Sequence, residues 1–243
     1  MSRLEDLVTT ALKNLPAKPS DSASAPEKKA YSEKVSNAIA PAFAAELRHR
    51  GLIGSRPTLP GDVGGSGAER RMAGAIGAKK VDVTWATEES GLLLALSIKS
   101  VNFRDGRSGN FQKNITNRRG DLLYEAVTLH RRFPYAVLGG FMFLDRAAAE
   151  DDTPKRRSTF LNTEYRLRLF DGRNDPSGRD EQYERLYVVQ LDANPFTPWW
   201  QVYRVGRVTE PTTFDAAFTD LLDLVAQRNP DFYDCVEGML RKA

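Results

Sequence analysis

The alternation of apolar and polar positions divides the chain into short blocks. Residues 4–14 carry apolar side chains at helical spacing and predict a short amphipathic helix. PAKPSDSASAPEKK follows, rich in Pro, Ser and Ala, and reads as a linker or surface loop. Residues 28–50 are helical in pattern, with Pro41 expected in the first turn of a new segment. GLIGSRPTLPGDVGGSG holds six glycines in 17 residues and predicts a loop, and AERRMAGAIG predicts a short helix. Two strands are expected at 80–86 and 91–100, joined by a polar turn that leaves Glu88 and Glu89 in solvent. After the loop FRDGRSGN, residues 111–132 predict a helix and YAVLGGFMFLD a buried strand. The charged stretch 150–185 is irregular, with a helix near 158–170. RLYVVQLD and WWQVYRV read as strands, and TFDAAFTDLLDLVAQ as an amphipathic helix opened by a Thr cap. There is no internal repeat.

Helices and strands that alternate in this way predict an α/β (α+β) class, with a mixed central sheet flanked by helices. Three regions are expected: an N-terminal helix and linker over 1–27, a core over 28–150, and a C-terminal extension over 151–243 packed on that core. The chain has 243 residues, 41% of them hydrophobic, enough for a sizeable core. The net charge of +3 argues neither for nor against nucleic acid. No window approaches 18 unbroken apolar residues, so no membrane span is expected. The opening residues include acids and lack a long apolar core, unlike a secretory signal, so a cytoplasmic protein is expected. Cys235 is the only cysteine, which excludes an intramolecular disulfide and a cysteine zinc site. His49 and His130 are too few for a histidine-rich site. A bound metal would have to be held by carboxylate and carbonyl oxygens, a donor set that suits Mg²⁺.

The two strands at 80–100 carry charge where a core is expected. Strand side chains alternate between faces, so Val81, Val83 and Trp85 are placed on one face, with Asp82 and Thr84 on the other. In the second strand Leu92, Leu94, Leu96 and Ile98 share one face; Leu93, Ala95, Ser97 and Lys99 share the opposite one. Paired as a hairpin, the strands bring Asp82 beside Lys99. Burying an unpaired charge costs several kcal/mol, so such groups come with a partner or a task.

GAKKVDV and SIK together resemble the motif strands of the PD-(D/E)XK nuclease superfamily, with a 17-residue step from Asp82 to Lys99 and a helix after it. The resemblance covers roughly residues 40–145. It implies a restriction-endonuclease-like core and a Mg²⁺-dependent endonuclease acting on double-stranded DNA, of restriction type or from a phage-defence system. It further implies a homodimer or a subunit of a defence complex. Asp82 would then bind the metal, with the Ile98 carbonyl as a neighbouring ligand, and Lys99 would position the attacking water. The family places an acid two residues before the lysine, where this chain has Ser97. Some members resemble this Ser-X-Lys pattern and supply the acid from a nearby helix.

Three replacements are available. On the helix 111–132 the apolar stripe is Ile115, Leu122, Ala126, Leu129 and Phe133, and Asn114, Arg118, Asp121 and Glu125 run along its edge. Glu125 is therefore a candidate catalytic and metal-binding acid. Glu46 falls at the centre of the face formed by Ile39, Ala42, Phe43 and Leu47, which makes it a second candidate ligand. Glu69 is a third.

Residues 101–133 hold seven Lys or Arg against three acids, a local +4. Gln112, Lys113, Asn114, Arg118 and Arg119 are the candidate DNA contacts, since cations neutralise phosphates and amides bond phosphates or base edges. KRRSTF is a second basic segment, expected as a clamp or specificity element. NPFTPWW is expected to pack a satellite core, with Trp199 or Trp200 as a conceivable base-stacking platform. Bland alternatives stay open: Asp82 and Lys99 as a structural ion pair, the basic helix as a solubilising surface, and the chain as a DNA-binding or scaffold protein on a degenerate nuclease fold.

Overall fold

A computed structural model describes residues 2–58 and 71–243. Helix α1 (Arg3–Lys13) opens with a capping box in which Ser2 and Glu5 bond each other's backbone. Helix α2 (Ala25–His49) opens with the same device, Ser24 and Glu27, followed by a proline in its first turn. It therefore begins inside the segment expected to be a linker. It also runs unbroken through Pro41, which was expected to start a new segment. A mid-helix proline costs about 3 kcal/mol. Its neighbours Ile39, Ala40, Ala42 and Phe43 are all buried, and that packing holds the helix together.

AERRMAGAIG is not the short helix expected. Within its described part, strand β1 (Arg71–Ala73) pairs antiparallel with β2 (Ala78–Lys80). Gly74 to Gly77 make the turn, with the Gly74 N–H bonded to the Gly77 carbonyl. Strands β3 (Val83–Thr87) and β4 (Gly91–Val101) form the expected hairpin, with Glu88 and Glu89 exposed between them. Then follow α3 (Ile115–His130), β5 (Val137–Asp145), α4 (Thr159–Leu167), β6 (Arg185–Asp192), β7 (Trp199–Arg204), β8 (Pro211–Thr212) and α5 (Phe214–Arg228). The chain closes with an unanticipated hairpin, β9 (Tyr233–Val236) and β10 (Met239–Lys242). Its two-residue turn, Glu237–Gly238, has positive φ at both positions, the geometry that matches strand twist.

The molecule is mixed α/β, with a six-stranded mixed sheet in the order β3-β4-β5-β6-β7-β8. β4, β5 and β6 are parallel, while β3 on one side and β7 and β8 on the other run antiparallel to their neighbours. One face packs α1, α2 and α5 through Leu4, Val8, Phe43, Phe214 and Phe218. The other packs α3 and α4 through Leu122, Ala126, Leu129, Phe160 and Leu167. The boundary expected at residue 150 falls inside this architecture: β5 pairs along its length with β6, so the later strands extend the sheet itself. No helix among the described residues is long and apolar enough to cross a membrane.

The face assignment expected for the hairpin is corrected at two places. A bulge on β4 sets Leu94 opposite Trp85 and Leu92 opposite Ala86. Leu93 then joins Leu94 on the α2 side, and Leu92 crosses to the α3 side with Ala95. Val81 precedes β3 and is also on the α3 side, away from Val83 and Trp85.

Candidate functional site

β3 starts with Val83 opposite Leu96, so Asp82, one residue upstream, comes level with the last turns of β4's pleat. Asp82 Oδ2 accepts from the Ile98 N–H at 2.6 Å, and Lys99 Nζ lies 3.4 Å from the same oxygen. The Ile98 backbone thus meets Asp82 through its amide. Lys99 Nζ is also 3.5 Å from Glu125 Oε2, so the ammonium bridges the two carboxylates. Glu125 is fully buried on α3, among Leu122, Ala126 and Leu129. Its Oε1 accepts from the Ser97 hydroxyl. The structure therefore brings Asp82, Ser97, Lys99 and Glu125 into one cluster.

Two further side chains complete it, and neither was anticipated. The Tyr183 hydroxyl is 3.0 Å from Ser97 Oγ, delivered by the segment leading into β6. Gly140, paired with Ser97, makes the room: a Cβ there would stand 2.5 Å from Leu186 and 3.5 Å from the Tyr183 ring. Lys79, on β2, places its ammonium 3.3 Å from Glu125 Oε2. Its position before Asp82 in GAKKVDV was the available signal, and the misread hairpin hid it. Tyr183 lay in a stretch with no periodic pattern, and nothing local marked it.

Burial pulls the Lys99 ammonium toward neutrality, but the fields of Glu125 and Asp82 outweigh it and hold the group above its ordinary value. Lys99 is accordingly charged at neutral pH. Burial, and then the Glu125 carboxylate, push the Tyr183 phenol well above its usual range, so it stays a neutral hydroxyl.

Comparison with family models, curated proteins and solved structures finds no match for this chain.

Whether these residues suit a divalent cation is decided by their donors. Asp82 and Glu125 offer hard carboxylate oxygens, and Mg²⁺ is commonly held by one or two carboxylates with water completing the shell. Glu125 Oε2 is buried and accepts no hydrogen bond, although two ammonium groups lie within ion-pair range of it. Two carboxylates that share the Lys99 ammonium are hard oxygen donors within reach of a single cation, so the residues fit the ion. Among the described residues, the two carboxylates are not joined by a third acid, His or Cys to form a larger ligand group.

Glu46 is placed elsewhere. Its oxygens accept from Arg3 at 2.6 Å and from Arg50 at 2.8 Å, and Arg50 goes on to Asp215. Ser32, which contacts Ser100 near the end of β4 and Asn102 just beyond it, lies 14 residues earlier on α2. At 1.5 Å per residue that separates the two ends by about 21 Å. The inward orientation expected for Glu46 is correct, and its partners are guanidinium groups. Glu69 lies outside the described residues.

Beside the cluster runs a groove of about 410 Å³ between the start of α2, the segment after β4 and the start of α3. Lys28, Lys29, Arg104, Lys113 and Arg118 line it, with Asp105 as the one acid among the described residues and Asn114 and Asn117 among its amides. Lys113 bonds Asp105 at 2.6 Å, and Arg118 approaches Asp121 at 3.5 Å. Three of the five expected DNA contacts thus share the groove. Gln112 and Arg119 do not line it; the Arg119 guanidinium stacks over Phe170. Arg104 belongs to the basic segment expected to meet DNA; Lys28 and Lys29 fell inside the expected helix, and nothing in the sequence showed which loop they face.

KRRSTF forms a separate pocket, in which Arg156 donates to the Asp151 carbonyl and Arg157 lies over Tyr165. Asp151 also caps Thr159 and bonds the Phe111 N–H, tying the entry of α4 to that of α3. Trp200 packs against Phe214 of the core, while Trp199 is covered by Arg146 at 4.5 Å.

Proposed function

We propose that this chain hydrolyses phosphodiester bonds of double-stranded DNA with the help of Mg²⁺, in the manner of the PD-(D/E)XK nucleases it resembles. The observation that carries this reading is the meeting of Ser97 and Glu125. The motif's acid is missing at position 97, and a buried carboxylate from the next helix reaches that same side chain. It arrives within 3.5 Å of the motif's lysine, which is itself beside the motif's aspartate.

Asp82 and Glu125 would hold the ion. When bound, Mg²⁺ lowers the pKa of a coordinated water and offsets charge on the attacked phosphate. Lys99 would serve as a hydrogen-bond donor and counter-charge beside the attacked phosphate. Ser97 holds Glu125 from the buried side, and the Tyr183 hydroxyl in turn bonds Ser97. The groove cations neutralise the phosphates that flank the scissile one.

A rival reading treats the cluster as a structural ion-pair network on a DNA-binding scaffold. Its support is that Asp82 and Glu125 already face two ammonium groups. Incubating plasmid with the protein in Mg²⁺ or in EDTA decides between them. The nuclease reading expects Mg²⁺-dependent nicking or linearisation, lost in Lys99→Ala with DNA binding retained. Cleavage by Lys99→Ala at the wild-type rate, or none by the wild type on any duplex tried, would falsify it.

A further inference from the structure

Among the described residues, the candidate metal site sets two carboxylates against two ammonium groups. Lys99 belongs to the central sheet, hydrogen-bonds Asp82 and is held from both sides by acids. Lys79 is different. It reaches Glu125 from a two-stranded hairpin that is separate from the six-stranded sheet. Its side chain is 22% exposed, against 1% for the carboxylate it faces. It makes no aligned hydrogen bond to that carboxylate, since Glu125 Oε2 accepts none.

The hairpin is seated with some care. Met72 is buried in the α3-side core. The Ala75 N–H donates to the Thr128 carbonyl at 3.0 Å, on the turn of α3 that follows Glu125. Gly74 approaches so closely that a Cβ would stand 2.2 Å from the Thr128 methyl. The ammonium also lies 5.7 Å over the Tyr124 ring, toward solvent. The seat fixes the Lys79 backbone and leaves its flexible stem to carry the charge in or out.

We propose that Lys79 is an internal counter-ion that occupies the cation's place at Glu125 and swings out toward Tyr124 when a divalent cation binds. This rests on the metal-site reading given above. A coordinated Mg²⁺ sits about 2.0–2.1 Å from its ligand oxygen. An ammonium 3.3 Å from that oxygen would then face two positive charges at close range. Lys99 has Asp82 as well as Glu125 to retain it; among the described residues Lys79 has Glu125 as its one acid, with the Tyr124 ring on its half-open side. The device lets a buried carboxylate fold without its metal, at the cost of weaker metal affinity.

The test is calorimetric titration of Mg²⁺ into the EDTA-stripped full chain without DNA. Lys79→Met should bind Mg²⁺ at least about fivefold more tightly than the wild type, because removing a like charge near 4 Å matters even in high dielectric. Lys79→Arg, which keeps the charge, should stay near wild type. Lys34→Met, an exposed site on α2, controls for net charge. Amine labelling read by mass spectrometry should show Lys79 becoming more reactive when Mg²⁺ is added. Unchanged or weaker affinity in Lys79→Met, an equal gain in Lys34→Met, or unchanged labelling overturns the proposal. In each of those cases the metal-site reading stands if Asp82→Asn and Glu125→Gln still abolish Mg²⁺ binding. Wild-type protein that takes up no Mg²⁺, or takes it up regardless of those two substitutions, removes both.

Discussion

Ser97 of β4 donates its hydroxyl to Glu125 of α3, so two residues 28 apart in sequence share one point in the interior. If that point is where the acid is needed, the acid can come from either backbone. Glu125→Ala should lose cleavage and Mg²⁺ binding. Adding Ser97→Glu to Glu125→Ala, where the truncation clears the space, should restore part of both. The measurement is plasmid cleavage beside Mg²⁺ calorimetry; a folded double variant that binds no metal would show that the two positions do not serve the same ion.

Glu46 lies apart from the cluster and has the surroundings of a structural group. Stripping one partner from a buried ion pair costs about 3–5 kcal/mol. Arg50 keeps Asp215 when Glu46 is truncated, which places Glu46→Ala at about 3 kcal/mol, the low end of that range. Denaturant titration should show this loss. At temperatures where Glu46→Gln is folded, it should cleave DNA like the wild type; a folded but inactive Glu46→Gln would return this residue to the site.

The groove beside the cluster sets an electrostatic expectation. Replacing Lys28, Lys113 and Arg118 by Gln should weaken duplex binding and flatten the dependence of log affinity on log salt, by about 0.9 for each phosphate that is no longer neutralised. Arg119, stacked on Phe170, should add little to that slope. A steep, unaltered slope in the triple variant would place the DNA on another face.

Cys235 offers a check that is independent of function. Burial, reinforced by the nearby Asp223 carboxylate, pushes its thiol up to about 12 from an ordinary 9.0. The thiolate is the reactive form, so at pH 8 alkylation of the native protein should run at least ~10-fold slower than in the unfolded chain. The protection should persist up to the ordinary value and fade as pH climbs toward 12. Rapid labelling at pH 8 under native conditions would place Cys235 in a different environment.

What could be read in advance follows a physical divide. The long elements with strong periodicity, β4, α3, β5, β6 and α5, were legible because burial on one side leaves a repeating mark. Asp82, Ser97 and Lys99 were legible as charged or polar residues interrupting apolar strands, and Glu125 as an acid on the edge of a helix's apolar stripe, although its full burial was not. The start of α2 was legible too, in the capping pattern of Ser24 to Glu27, but the surrounding Ser and Pro content masked it. The hairpin carrying Lys79 was not, because three-residue strands are too short to repeat an alternating pattern. Its shape depends on Thr128 meeting Gly74, a neighbour 54 residues away in sequence. Tyr183 and the placement of Glu46 depend on packing between distant segments and left no local trace. The β4 bulge likewise shifted Leu92 and Leu93 without altering composition.

The pairing of β5 with β6 has a practical consequence for anyone dissecting this protein. A chain ended near residue 150 would keep Asp82, Lys99 and Glu125, yet it would lose Tyr183 and the strand that covers β5. Gly139 to Asp145, among them Phe141, Met142 and Phe143, would become a flat apolar edge with its backbone groups unpaired. Such an edge recruits other chains. The fragment should accumulate in inclusion bodies, and shortened versions meant to isolate the Asp82–Lys99–Glu125 cluster should keep everything through α5.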